Sequence, residues 1–487
     1  MRVVLISTYE LGRPPFGLAS PAAWLADRGI DVQCFDLSRE PLREEGIRGA
    51  ELIAFYLPMH TATRLAAQLF PQVHEMEPRA HICCYGLYAP VNEELLRMLG
   101  VQTILGGEFE EDLLRLAERL AAGDEPSAAR TEPRISLARQ NFLLPRRENL
   151  PPLEKYARVV MPDGSQRLAG YTEASRGCKH LCRHCPVVPV YGGVFRVVGR
   201  EVVLADVRQQ IAAGAQHITF GDPDFFNGPA HALAIVEELH REFPSVTYDA
   251  TIKIEHLRRH AHDLPRLRDT GCLFVTSAVE SVDDSVLLRL DKGHTRGDFL
   301  KVAARFHELE MTLLPTFVPF TPWTTLKGYR DLLGVLAEVD LIENVAPIQL
   351  AIRLLIPGGS RLMELPDVRE MVGEFDREAL AYPWRHADER VDELQGRVQA
   401  VVEQGESNGL DRGEIFERIW CAASVAYGDS NGATVREGRM RSRAAVPHLD
   451  EPWYCCAEPT RQQFISIAAA GRTQRSGLVT PRPDGFV

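Results

Sequence analysis

Ser175-Arg176-Gly177-Cys178-Lys179-His180-Leu181-Cys182-Arg183-His184-Cys185 is the stretch on which the reading of this chain turns. Its three cysteines follow the spacing C-x₃-C-x₂-C on one short loop, which suits thiolates holding three irons of a [4Fe–4S] cluster. The fourth iron is then without a protein ligand, and an open position on a redox metal is where chemistry can start. The competing occupant is zinc. His180 and His184 stand among the thiols and can complete a Cys₃His tetrahedron. Against it, one loop crowds a mononuclear tetrahedron, whereas structural zinc usually draws ligand pairs from two separated segments.

Composition sets the outer bounds. A chain of 487 residues is too long for one core, so two or three domains are expected. Hydrophobic residues at 45% and charged residues at 25% are those of an ordinary globular protein. The net charge of −12 argues against broad binding of nucleic-acid backbones. The one basic stretch, 130–147, reads as a solvated connector. No apolar run approaches the roughly 18 residues that span a bilayer, so no membrane role is expected. The apolar start, residues 3–7, is long enough for a strand and too short for an export signal. Ten cysteines without such a signal point to reduced thiols and metal in the cytoplasm.

The pattern is α/β throughout the first two thirds. Residues 1–125 alternate short apolar runs (3–7, 31–35, 51–56, 81–85, 102–105) with helical periodicity (21–27, 61–69, 92–99, 109–121), which predicts a doubly wound Rossmann-like sheet. No G-x-G-x-x-G follows the first strand, so a dinucleotide fingerprint is absent. Residues 126–165, rich in Pro, Arg and Glu, read as a linker. Six strand–helix units follow within 166–361. Strands are expected at 168–173, 217–221, 246–254, 273–278, 313–318 and 348–355, and helices at 202–213, 230–242, 256–268, 285–290, 297–308 and 325–339. That is a (β/α)₆ partial TIM barrel, with the cysteine loop after its first strand. In such barrels chemistry gathers at the strand C-terminal ends. Residues 362–487 form a helical and irregular C-terminal region, with helices at 388–402 and 412–426.

The cysteine loop resembles that of the radical S-adenosylmethionine (SAM) superfamily. There the open iron chelates the amino and carboxylate groups of SAM, and one electron from the cluster cleaves the sulfonium to release a 5′-deoxyadenosyl radical. The resemblance makes Cys178, Cys182 and Cys185 the cluster ligands. His184 occupies the position where the superfamily usually carries an aromatic residue against adenine. It extends to three strand ends. Phe220-Gly221-Asp222-Pro223-Asp224 matches the glycine–acidic motif that meets the SAM amino group, and Glu280-Ser281 a motif near the ribose. Leu354-Leu355-Ile356-Pro357-Gly358-Gly359 matches the turn behind the adenine. In the first domain, the loop from Ser7 to Gly17 and the turn Gly106-Gly107-Glu108 resemble a cobalamin-binding-type domain. The D-x-H-x-x-G motif that supplies a cobalt ligand is missing, which leaves cobalamin undecided.

Near the end of the chain, Trp453-Tyr454-Cys455-Cys456-Ala457-Glu458-Pro459 resembles the tail of the CUAEP/CCAEP radical SAM (seleno)proteins, in which one paired position can be selenocysteine. Thiolates select soft, polarisable centres. The resemblance therefore implies an enzyme that cleaves SAM and modifies a small-molecule substrate or soft element, such as arsenite, held by Cys455 and Cys456. Its electron donor would be a flavodoxin or ferredoxin. Two alternatives stay open: a cobalamin-dependent radical SAM methyltransferase, and a non-catalytic metal-binding or sensor protein. Cys34, Cys83, Cys84 and Cys272 read as core residues, and Cys421 as core or a third soft ligand.

Overall fold

Val3-Val4-Leu5-Ile6 is buried on both faces, as a strand must be when helices cover its parallel sheet on two sides. The structure, a computed structural model, describes residues 1–123, 132–429 and 446–451. Strands β1 (Arg2–Ser7), β2 (Asp31–Asp36), β3 (Leu52–Tyr56), β4 (His81–Tyr85), β5 (Thr103–Gly107) and β6 (Ile135–Ser136) form one parallel sheet in the order β2-β1-β3-β4-β5-β6. Alternate residues feed two helical layers: Val4, Ile6, Ile53 and Cys84 pack on one side, Val3, Leu5, Leu52 and Cys83 on the other. The first helix, Phe16–Asp27, begins a turn earlier than expected and keeps Pro21 inside it. Pro21 has no N–H for the carbonyl of Gly17, and the Tyr85 hydroxyl fills the vacancy by donating to that oxygen at 2.8 Å.

The 126–165 segment is less of a free linker than its composition suggests. Its β6 extends the first sheet, and β7 (Arg158–Val160) pairs antiparallel with the second. The basic connector is likewise not all solvated. Arg147 is largely buried and grips Asp206 with two bonds of 2.6 and 2.7 Å while donating to the carbonyl of Tyr171. A cation that finds a fixed carboxylate folds inward; spacing along the chain does not reveal the partner.

The second sheet adds β8 (Gln166–Thr172), β11 (His217–Phe220), β12 (Thr247–Thr251), β13 (Cys272–Glu280), β14 (Thr312–Phe317) and β15 (His448–Leu449) in the order β14-β13-β12-β11-β8-β7-β15, parallel from β8 to β14. A small antiparallel pair, β9 (Ser175–Gly177) and β10 (Phe195–Val197), stands between β8 and β11 in the chain. The expected sixth strand, 348–355, is a correction: the chain makes a 3₁₀ turn, Pro347–Leu350, then a single parallel bridge from Arg353 to Phe320. Pro347 at the start of that segment favours the turn over a ladder. The expected helix 256–268 is two, Ile254–Arg259 and Leu264–Asp269, because Pro265 can begin a helix but not continue one.

The helices Glu389–Ser407 and Arg412–Tyr427 begin at Asp388 and Asp411, whose side chains cap them. Val391, Leu394, Val398, Ile415, Phe416 and Ile419 bury against the barrel core. Cys34, Cys83 and Cys84 are buried and Cys272 largely so; Cys421 is exposed, which corrects its reading as core. Among the described residues no helix is long and apolar enough to cross a membrane. Cys455 and Cys456 lie outside the described residues.

Candidate active site

The cysteine loop leaves the C-terminal end of β8 and is fastened on every side. Gly177, just before Cys178, has φ +73°, and a Cβ there would meet Tyr191 and the carbonyl of Val194 at 2.4 Å. Cys178 and Cys185 pack beside the apolar group Val187, Val190 and Tyr191, which closes the loop's flank to water. Asn227 accepts from the Lys179 amide at 3.1 Å. Arg183 and Arg361 reach backbone carbonyls across the mouth, Arg183 that of Arg289 and Arg361 that of Leu181. Ser360, in the turn after Ile356 and Pro357, donates to the carbonyl of Arg183. Burial pushes the Cys178 thiol up to about 11, with Asp224 adding to it.

Asp222, after β11, turns back to the loop: it accepts from the Ala174 amide at 2.9 Å and the Ser175 hydroxyl at 2.5 Å. Burial pushes its carboxyl up to about 7 against those bonds. Gly221 beside it is obligatory, since a Cβ would overlap the Tyr171 hydroxyl at 1.9 Å. Ile356 is core, its carbonyl accepting from Tyr382, and Pro357 bridges to Ala381. Ser281 caps the turn after β13 by accepting from the Asp283 amide.

Glu280 is aimed by strain. It sits at φ +68° beyond a bulge in the β13–β14 register, a conformation unusual for a residue with a Cβ. Its Oε1 lies 3.1 Å from His184 Nε2 and 3.3 Å from Lys292 Nζ. Burial opposes the charge, but Lys292 and then His184 hold the carboxyl down to about 2. Burial also opposes the ammonium of Lys292, yet Glu280, Cys182 and Cys185 push its pKa above the usual value. A buried cation thus lies within electrostatic range of two of the three thiols. Lys292 was not singled out in the sequence; its only signal is a lysine set between Asp291 and Gly293 where a barrel helix ends.

The two histidines of the loop point away from a thiol tetrahedron. His184 is engaged by Glu280, and His180 faces Asp224 and Glu255. Among the described residues, donor groups gathered within 4.8 Å are His180–Asp224–His256 and His260–His262–Asp263, and the three thiols make no such compact set. Thiolates on one zinc would stand about 3.8 Å apart.

Opposite the loop stands the C-terminal edge of the first sheet, and a cavity of about 170 Å³ lies between the two. Tyr56, Gly86, Gly107 and Phe109 line it from one side, Tyr171, Glu173, Gly177 and Pro223 from the other. Arg176 ties the two together. It donates to both Glu110 oxygens at 2.9 and 2.6 Å and to Glu173 at 2.6 Å, with Phe16, Phe109 and Phe142 about its guanidinium. Glu10 faces the same cavity, and burial, reinforced by Glu173, raises its carboxyl well above the usual range.

The sequence profile of the Radical SAM superfamily matches residues 172–328. The chain is 24% identical over 191 residues to the ribosomal protein uS12 methylthiotransferase RimO of Geobacter sulfurreducens, covering 37% of this chain and 42% of that protein. Among solved structures it resembles the radical S-adenosylmethionine methyltransferase TsrM from Kitasatospora setae, with a TM-score of 0.54 at 15% identity over 70% of this chain and 71% of the other. It also resembles the cobalamin-dependent S-adenosylmethionine radical enzyme OxsB, with a TM-score of 0.65 at 15% identity over 84% of this chain and 66% of the other. The matched stretch runs from the end of β8 past β14 and holds the cysteine loop, Asp222, Glu280 and Lys292; this chain carries a radical SAM domain.

Proposed function

We propose that the chain is a radical SAM enzyme whose Cys178, Cys182 and Cys185 hold a [4Fe–4S] cluster, with SAM bound against the strand ends at 221–223 and 280–281 and the turn at 356–357, and His184 beside it. The observation that carries this reading is a three-thiol loop at the C-terminal ends of a parallel half-barrel, flanked by a buried cation and walled by apolar side chains. When bound, the cluster and SAM supply a 5′-deoxyadenosyl radical by one-electron reduction of the sulfonium. The residues do the rest. Lys292 offsets the negative charge of the thiolates, and Glu280 keeps that lysine charged and in place. Asp222 holds the first residues of the loop, so the spacing of the sulfurs does not depend on the metal alone. Val187, Val190 and Tyr191 keep water from the loop's flank, as a radical site requires.

The test is cofactor analysis of protein purified without oxygen. About four irons and four sulfides per chain are expected, with 5′-deoxyadenosine formed from SAM on reduction. Protein with zinc in place of iron, or with no deoxyadenosine, would end the reading.

Cobalamin is the second reading, favoured by the fold shared with TsrM and OxsB and by a cavity between two sets of strand ends. The cavity of about 170 Å³ is much smaller than a corrin, and aromatic and charged side chains occupy the space around it, so the residues do not fit the group as they stand. Stoichiometric cobalt in the same analysis would favour it.

For the substrate, Cys455 and Cys456 remain the proposed holders of a soft element. The described chain ends at Glu451, which accepts from the Tyr9 hydroxyl at 2.7 Å, beside the Glu10 that lines the cavity. Cys455 is four residues further, a reach of at most about 14 Å. The Cys455→Ser, Cys456→Ser double variant should keep the cluster and slow uncoupled SAM cleavage but lose protection of its thiols by arsenite.

A further inference from the structure

His180 lies between two of the proposed cluster cysteines, yet its ring points to a different set of partners. Its Nε2 is 3.5 Å from Asp224 Oδ2, and His256 Nδ1 approaches the same oxygen at 2.7 Å. The side chain of Asp224 is 2% exposed and that of His256 4%, and His180 is 14% exposed. None of the three facing atoms makes a well-aligned hydrogen bond. Asp224 and His256 are more than nine-tenths buried, and polar atoms that converge there unpartnered lack something between them. We propose that His180 Nε2, Asp224 Oδ2 and His256 Nδ1 hold one divalent first-row metal ion of the zinc or iron(II) kind.

The donor set is that of such an ion, two imidazoles and one carboxylate with a further position for water. Metal bonds near 2.0–2.1 Å put donor atoms of a tetrahedron about 3.3 Å apart, and the present separations of 2.7 and 3.5 Å straddle that value. The outer shell is also built. Glu255 Oε2 stands 3.4 Å from His180 Nδ1, the far side of the ring, and Lys253 and Arg259 hold Glu255 in turn. A carboxylate behind a ligating histidine fixes which nitrogen keeps its proton and leaves the other free for metal. Asp224 is steadied as well, since its Oδ1 accepts from the Phe226 amide at 3.1 Å and leaves Oδ2 to the site. The ligands come from the cysteine loop, the turn after β11 and the helix after β12. An ion here would pin those three segments together beneath the cluster loop.

The site is distinct from the thiols, and the test separates them. Full-length protein carrying its cluster is equilibrated with zinc, passed over a desalting column and analysed for zinc, iron and sulfide, with zinc-edge X-ray absorption on the same sample. About one zinc per chain is expected, with nitrogen and oxygen neighbours, imidazole outer-shell scattering and no sulfur. His256→Gln and Asp224→Asn should lose it and keep their sulfide. The Cys178→Ala, Cys182→Ala, Cys185→Ala triple variant should lose sulfide and keep the zinc. No retained zinc in the wild-type chain overturns the proposal and leaves an ordinary histidine–aspartate contact. Sulfur in the first shell overturns it in favour of zinc on cysteine thiols, those of the loop or of the Cys455–Cys456 pair. Because the absorption spectrum is taken on the unaltered protein, a variant that fails to fold does not leave the question open.

Discussion

Two parts of this molecule carry closely spaced cysteines, and they do opposite things with them. In β4, Cys83 and Cys84 are adjacent, fully buried and directed into different layers, Cys83 toward one set of helices and Cys84 toward the other. A strand alternates its side chains, so two neighbouring thiols there can never share an ion. Burial raises both thiols far above the usual range, which keeps them protonated and inert. In the loop after β9 the cysteines are separated by three and two residues, the backbone is free to turn, and the charge of Lys292 acts on Cys182 and Cys185. Reactivity follows from the backbone that carries the thiols and from the nearest charge, and the count of cysteines decides nothing.

The strongest way to break that contrast is substitution at both places. Alanine at Cys178, Cys182 or Cys185 should remove the iron–sulfur absorbance and SAM cleavage altogether. Alanine at Cys84 should leave iron and sulfide at wild-type levels and cost roughly 1–2 kcal/mol through the small cavity it opens, read as a lower urea midpoint. Iron lost from the Cys84 variant, or kept by a loop variant, would reverse the assignment.

The next effect concerns the lysine that marks the loop as different. Glu280→Gln leaves Lys292 as a buried cation without its partner, which should destabilise the fold by about 3–5 kcal/mol. The same pair has a pH signature. The Glu280 carboxyl is held down to about 2, below its unfolded value, so its contribution is fully present above the usual carboxylate range and is lost as pH falls from about 4.5 toward 2. If the variant unfolds at the same urea concentration as wild type, the ion pair is not a support of the site.

Carboxyls near the cavity should titrate with the opposite sign. Asp222 and Glu108 are both pushed up to about 7, chiefly by burial, so the folded chain keeps protons that the unfolded chain has released. Stability should fall as pH rises from about 4.5 through 7 and level off above it. Glu108→Gln should remove about 1–3 kcal/mol of that decline, measured by urea unfolding at pH 5 and pH 8. Equal slopes in variant and wild type would count against a neutral Glu108.

The smallest effect is at Cys421, exposed on the helix Arg412–Tyr427. Serine there should change stability by no more than about 0.5 kcal/mol. In the native protein its thiol should be alkylated before Cys34, Cys83 or Cys84, and labelling of β4 first would mean that the sheet opens readily.

Much of this was legible in the sequence because it depends on neighbours along the chain. The spacing of the loop cysteines, the strand-by-strand alternation of the first sheet and the order of the barrel units are local patterns, and local patterns survive reading in one dimension. Helix caps at Asp388 and Asp411 belong to the same class. The sixth strand that does not form and the helix that splits are also local, and Pro347 and Pro265 are their signals.

What the tertiary structure alone decided is which charges meet. Arg147 and Asp206, Arg176 and Glu110, Lys292 and Glu280, and His180 with Asp224 and His256 are each brought together across elements. The family of the loop followed from its own residues, whereas the cation beside it and the histidines beneath it needed the sheet to close. An isolated polar residue in a sequence reads as surface, because burying a charge without a partner costs more than a fold can bear. Only the folded chain supplies the partner, and with it the reason the residue is inside.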